Sequence, residues 1–283
     1  MIAQRGDASI EWQKRVIAID YGAVAVGAHT LAELQINQPW RMGSNATTTC
    51  RAELPVLMGG RALPPGNYRL SMVRVDDDGC EVRFEGSHHV LGSTGDLALD
   101  GALGEAKKPS KQLEIAWQKG KVEDKQHFVT DLSLVFGPTT WHAPAKLVGG
   151  ATQKVGGYQL TVFALPAAVV AARKEAQAPI GLLQRGSGKK ADMWNVMLGD
   201  AEVRLVPWLE LPTDNNGFGE IKAVPADQIV TGTLAAAAAA DTAPERAQAE
   251  VVAATLTKGT FTLQFAVGKE VLTANVQEPG KKK

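Results

Sequence analysis

The chain has 283 residues, 45% of them hydrophobic, and its 30 basic and 30 acidic side chains cancel to a formal net charge of zero. That length admits one large or two ordinary domains, and the apolar share is enough to build a core. Balanced charge leaves no global field to draw nucleic acid or anionic lipid, and no apolar run approaches the roughly 18 residues that cross a bilayer.

The 29 glycines and 14 prolines, set among strand-like segments, favour a β-rich chain. Met1 to Arg5 carries no hydrophobic stretch, so no signal peptide is visible in this chain. Residues 1–7 read as loose. A strand follows over 9–20, through Ile10, Trp12, Val16, Ile17 and Ile19. Residues 21–38 are rich in glycine and alanine and poorly patterned, with a short helical turn expected over 30–36.

The stretch Trp40 to Leu70 is the most informative. Thr47, Thr48 and Thr49 are stiff at χ1 and favour a pleated backbone. Pro55 marks an edge or a bend. Gly59-Gly60 and Leu63-Pro64-Pro65-Gly66-Asn67 carry the chemistry of turns. Tyr68, Leu70 and Met72 then alternate with Arg69, Ser71 and Val73 as a half-buried strand. Asp76-Asp77-Asp78-Gly79 is a hairpin turn, and Cys80, Val82 and Phe84 line one face of the return strand.

The Trp-Arg-x-Gly-x-Asn-x-x-Thr pattern of Trp40, Arg41, Gly43, Asn45 and Thr48, followed by the Leu-Pro-x-Gly-x-Tyr turn that ends in Tyr68, resembles the bacterial domain-of-unknown-function family numbered 2911. Val16 to Gly22 fits that family's early strand. The resemblance covers residues 8–95 and at its widest reaches 148. It implies a mostly β domain in an exported bacterial protein and implies no reaction. The family usually has an acidic residue after the Asn, where this chain has Ala46, so a role for that carboxylate is not carried over. Localisation is therefore expected to be periplasmic or extracellular, with the signal peptide absent from this chain. Composition alone would equally suit a cytoplasmic protein.

Further along, 92–111 reads as an exposed loop, 113–117 and 128–136 as strands, and Gly137-Pro138 as a stop. Strands over 141–148 and 158–163 flank a flexible 149–157, a plausible domain boundary. A short helix or exposed loop is expected over 167–178, and strands over 194–198 and 202–211. Asp241 or Thr242 can cap a helix with Pro244 in its first turn, near 243–256. A hairpin over 261–276 ends the chain. No internal repeat is legible.

Several constellations carry less chemistry than they suggest. Asp76 to Asp78 lacks the further oxygens of a calcium loop. His88 and His89 point to opposite faces of a strand, and with His127 and His142 they lack zinc-site spacing. Gly186 to Lys190 has Lys190 where a phosphate loop needs Ser or Thr. Six tryptophans and three tyrosines could form a sugar platform, though on strands they more often fill a core. Cys50 and Cys80 are either bridged, closing the hairpin segment, or two small buried hydrophobes that never meet.

The expected fold is thus mostly β: an antiparallel β-sandwich over 8–148, then a second β-rich segment over 158–276 with one or two short helices, one near 243–256. The expected function is a non-catalytic exported binding or assembly module of unknown ligand, with a protein or carbohydrate partner and homo- or hetero-oligomers open. The alternatives are a hydrolase or other enzyme with its site near the Trp40–Asn45 turn, and a structural subunit of a surface assembly. Trp40, Arg41, Asn45 and Thr47 are the candidate site residues. They are read first as a structural bracket, with Trp40 buried, the Arg41 fork tied to carbonyls or a carboxylate, and Asn45 bonded across the turn. No metal, cofactor, nucleic acid or transmembrane segment is expected.

Overall fold

The computed structural model describes residues 5–27, 31–43, 47–58, 61–77, 79–86, 97–174, 177–188, 191–208, 210–211, 224–237 and 245–280. The chain is mostly β, its sheets are antiparallel, and the one α-helix among the described residues is short. It forms two compact units, the first centred on Met1–Ser87 and Thr94–Leu147, the second on Val148–Trp208 and Ala223–Lys283.

In the first unit the strands are β1 (Arg5–Trp12), β2 (Arg15–Gly22), β3 (Pro39–Trp40), β4 (Thr49–Ala52), β5 (Val56–Met58), β6 (Arg61–Leu63) and β7 (Gly66–Arg74). They continue with β8 (Gly79–Gly86), β9 (Leu97–Glu105), β10 (Glu114–Trp117), β11 (Lys121–Val122), β12 (His127–Phe136) and β13 (Thr139–Val148). The main path across the sheet is β1-β2-β4-β7-β8-β9-β13-β12-β10. Gln13 and Lys14, with φ of 52° and 62°, turn β1 tightly into β2, matching the twist of the strands. Alternation fills the interior: on β8, Cys80, Val82 and Phe84 are buried while Glu81, Arg83 and Glu85 are half-exposed. The two ends of the path, β1 and β10, lie side by side without a ladder between them.

Two clasps hold that seam. At one end the Leu113 N–H donates to the Val24 carbonyl at 2.8 Å and the Val26 N–H to the Lys111 carbonyl at 3.0 Å. At the other the Gln13 amide donates to the Lys125 carbonyl at 2.8 Å and to Gln126 Oε1 at 3.0 Å.

The second unit comprises β14 (Gly150–Val155), β15 (Tyr158–Phe163), α1 (Ala167–Ala171), β16 (Ala178–Arg185), β17 (Asp192–Leu198) and β18 (Glu202–Pro207). It ends with β19 (Val230–Ala237), β20 (Arg246–Thr257), β21 (Thr260–Gly268) and β22 (Glu270–Gln277). The sheet order is β14-β15-β16-β17-β18-β19-β22-β21-β20, and β14 and β15 lie against β20. Phe163, Val196, Leu205 and Phe265 are fully buried in its core. The Tyr158 hydroxyl donates to Glu278 Oε1 at 2.8 Å, tying the residue after β22 to the unit's first hairpin. Arg185 lies over the Tyr158 and Trp194 rings, 5.7 and 5.2 Å from their centroids, and pairs with Asp192 at 2.8 Å.

Each sheet is nearly closed and barrel-like, not clearly the two-layer sandwich that the strand pattern suggests. The helix expected near 243–256 is instead strand β20, laddered to β21 from Arg246 opposite Gly268 to Thr257 opposite Thr260. Its alanines suit a helix, but Val251, Val252, Thr255 and Thr257 are β-branched, and the ladder overrides weak propensity. The proposed cap residues Asp241, Thr242 and Pro244 lie outside the described residues. Leu97–Glu105 is strand β9 rather than an exposed loop, with Leu99 buried, and Gly150–Val155 is strand β14 rather than a flexible joint.

The Cys50–Cys80 bridge is excluded. Both thiols are free and buried. Cys50 lies opposite Tyr68 and Cys80 opposite Arg74, on the two flanks of β7. The run from Tyr68 to Arg74 along a strand is about 20 Å, and a disulfide needs Cα atoms within about 7 Å.

Gly101 on β9 decides how closely β9 and β13 approach. A Cβ there would stand 2.4 Å from the Trp141 ring and 2.6 Å from the His142 carbonyl. Trp141 cannot retreat, because its ring is fully buried and its N–H donates to the Cys80 carbonyl at 2.9 Å. Gly101→Ala is therefore expected to destabilise the protein by about 1–3 kcal/mol through overpacking. Gly104→Ala, whose Cβ would meet only Thr140 Cγ2 at 3.7 Å, should stay within about 0.5 kcal/mol. Paired urea denaturation curves measure the difference.

Candidate functional site

The segment between β2 and β4 builds the site. Leaving β2, it bridges Ala25 to Gln112, buries Leu31 in a 3-10 turn (Leu31–Glu33), and returns along β7. There the Asn37 N–H donates to the Arg74 carbonyl at 2.8 Å, and Pro39 and Trp40 pair with Val73 and Met72. Arg74 reaches from β7 to the Leu34 carbonyl at 3.4 Å and to the Asp76 carbonyl at 2.9 Å, joining this segment to the Asp76 hairpin.

The turn after Trp40 is held from within. Met42 has φ of 53°, a conformation unusual for a branchless side chain outside a tight turn, and it is buried. Its carbonyl accepts the hydroxyl of fully buried Thr48 at 2.5 Å. Gly43 stands where a Cβ would lie 3.0 Å from the Gly22 carbonyl, which brings the turn against the end of β2.

Beside this turn lies a cleft of about 540 Å³. Trp40 and Phe136 form its aromatic wall, with ring centroids 5.6 Å apart and planes tilted by 39°. Val24, Leu31 and Leu34 add aliphatic surface, and Glu33, Gln35 and Gln38 bring exposed polar groups. The volume and the mostly apolar lining with a few polar groups fit a small-molecule pocket.

The candidate residues separate on the structure. Trp40 is half-buried in the cleft wall, not largely buried as expected. Arg41 is half-buried, and no hydrogen bond or ion pair joins it to another described residue, so the bracket rests on Thr48 and Arg74 instead. Thr47 is half-buried and is not among the residues lining the cleft. Asn45 lies outside the described residues. Phe136 carries no site signal in the sequence, where it only ends a strand before Gly137-Pro138. Glu33, Gln35 and Gln38 fall in the poorly patterned segment and carried no signal.

The remaining reactive groups are turned inward. Burial pushes the Cys50 thiol up to about 12 and raises that of Cys80, so neither is a ready thiolate. Burial also raises Tyr68, whose hydroxyl donates to the Pro64 carbonyl. Asp124 is held below the usual carboxylate range by its hydrogen bond with His127 in the turn before β12. Among the described residues no three His, Cys, Asp or Glu side chains gather as a metal set.

The first unit is thus a barrel-like antiparallel domain with an apolar cleft beside its β2–β4 segment. Residues 4–100 match the family model described as protein of unknown function (DUF2911), which takes in Trp40, the turn behind it and every cleft residue except Phe136. No curated protein and no solved structure matches the chain. No helix among the described residues is long and apolar enough to cross a membrane.

Thr48→Val leaves the buried Met42 carbonyl without its donor and is expected to lower stability by about 1–3 kcal/mol. Arg41→Lys is expected to stay within about 0.5 kcal/mol. Thermal melts of the two variants beside the parent check both; a large loss from Arg41→Lys would return the bracket to Arg41.

Proposed function

We propose that the protein is a non-catalytic binding module of an exported protein, and that it takes a small, largely apolar ligand in the Trp40–Phe136 cleft. The observation that carries this is the cleft itself: an aromatic pair and aliphatic walls, with three exposed polar side chains to orient a ligand. With centroids 5.6 Å apart the two rings touch, so they offer one continuous aromatic face to a ligand lying beside them. Among the described residues the lining holds one carboxylate, Glu33, beside the amides of Gln35 and Gln38. Export is supported by the resemblance to an exported bacterial family.

Titration with anilinonaphthalene sulfonate, an amphipathic anionic dye whose aromatic rings fluoresce in apolar surroundings, tests the proposal. Saturable binding is expected. Trp40→Ala and Phe136→Ala should each weaken it about tenfold or more, since an aromatic wall contributes on the order of 1.4 kcal/mol. Unchanged binding in both variants would exclude the cleft. Turnover in a hydrolase panel, lost on Glu33→Gln, would replace binding with catalysis.

A further inference from the structure

Counting the path strands of each sheet in chain order gives nine in either unit: β1, β2, β4, β7, β8, β9, β10, β12 and β13 in the first, β14 to β22 in the second. In both, the spatial order is first through sixth, then ninth, eighth and seventh. In both, the seventh strand lies beside the first.

The details agree as well. The first hairpin turns on two residues, Gln13-Lys14 and Gly156-Gly157. The segment after the second strand makes the same bond to the residue before the seventh strand in the first unit and to that strand's fourth residue in the second. Leu113 donates to the Val24 carbonyl at 2.8 Å with Ala25 bridged to Gln112, and Ala249 donates to the Leu165 carbonyl at 2.8 Å with Pro166 bridged to Gln248. The second residue of the fifth strand faces a glycine on the sixth, Cys80 opposite Gly101 and Val203 opposite Gly232. A Cβ on either glycine would strike the ninth strand, at the His142 carbonyl (2.6 Å) or the Asn275 carbonyl (2.1 Å). At the end of the eighth strand Phe136 precedes Gly137 (φ 62°), and Val267 precedes Gly268 (φ 55°).

We infer that the two units are copies of one nine-strand unit, and that the second holds the counterpart of the cleft in closed form. The second part rests on the binding role proposed for the first cleft. Where the first unit has the 3-10 turn of Leu31–Glu33, the second has α1, packed on the third, seventh and eighth strands, β16, β20 and β21. Val170 on α1 is fully buried. Arg173, just after it, is 9% exposed and is held by the Val170 carbonyl at 3.2 Å and Glu270 at 3.1 Å. These side chains occupy the place that the first unit leaves open, and Val267 stands there in place of the Phe136 ring.

Dye stoichiometry on the full chain tests this, again with anilinonaphthalene sulfonate. The parent should bind one equivalent, Val170→Ala with Arg173→Ala should bind two, and adding Trp40→Ala should return it to one. A folded plug variant that still binds one equivalent overturns the closed counterpart. A parent that binds none, with a plug variant that binds one, removes the role proposed for the first cleft and leaves this inference standing. If the double variant loses its cooperative melt, Val170→Ala alone, with the Arg173–Glu270 pair intact, decides in the same way. Independently of any dye, amide exchange should protect Leu113 and Ala249 alike; protection of one with free exchange of the other overturns the equivalence of the units.

Discussion

The nine-strand path of each sheet brings its first and last strands side by side without a ladder between them, and the rest of the architecture follows from that. Direction alternates at every step, so the first and last strands of the path run the same way, and a closing ladder would have to be a parallel one. Left alone, the two edges would present open rows of N–H and C=O groups. Each unit answers by folding the segment after its second strand across the gap, where Val24 and Leu165 offer their carbonyls to the seventh strand. Closure therefore depends on a few local bonds, and the segment that makes them is fixed at one mouth of the barrel.

The cleft is a consequence of that closure. The same segment that clasps the seam continues through Leu31 to Trp40 before it can rejoin the sheet beside β7. There Trp40 meets the ring of Phe136 at the end of β12, and the cleft opens beside the pair. In the second unit the equivalent segment forms a helix that packs down, and Val170 and Arg173 are buried under it. One closure problem thus gives an open mouth in one case and a filled one in the other.

Inside the first barrel, chemistry is subordinated to packing. Trp141 is fully buried and its N–H is satisfied by the Cys80 carbonyl, which fixes β13 against β8 and β9 through the space that Gly101 leaves empty. The thiols and the Tyr68 hydroxyl lie in the same interior, where desolvation disfavours their charged forms. Charged side chains keep to the outer face, as in the Arg83–Glu81 and Arg69–Glu85 pairs, which are partly exposed and contribute little each.

The sequence by itself determined the local elements whose signals are short-ranged. The β7–β8 hairpin follows from its alternation and the Asp76–Gly79 turn, and the resemblance to the unknown-function family from the Trp40 to Tyr68 pattern. It did not determine β20, because alanine's helical preference is worth less than a ladder formed with a strand that alone reveals itself on folding. It placed Trp40 at the site but not Phe136, and it could not separate Cys50 from Cys80, because both matters turn on register between strands distant in the chain. The likeness of the two units was invisible for the same reason. Strand order and the bonds that close a barrel constrain backbone geometry and a few glycines, while most side chains remain free to differ, so only the tertiary structure brings the pattern into view.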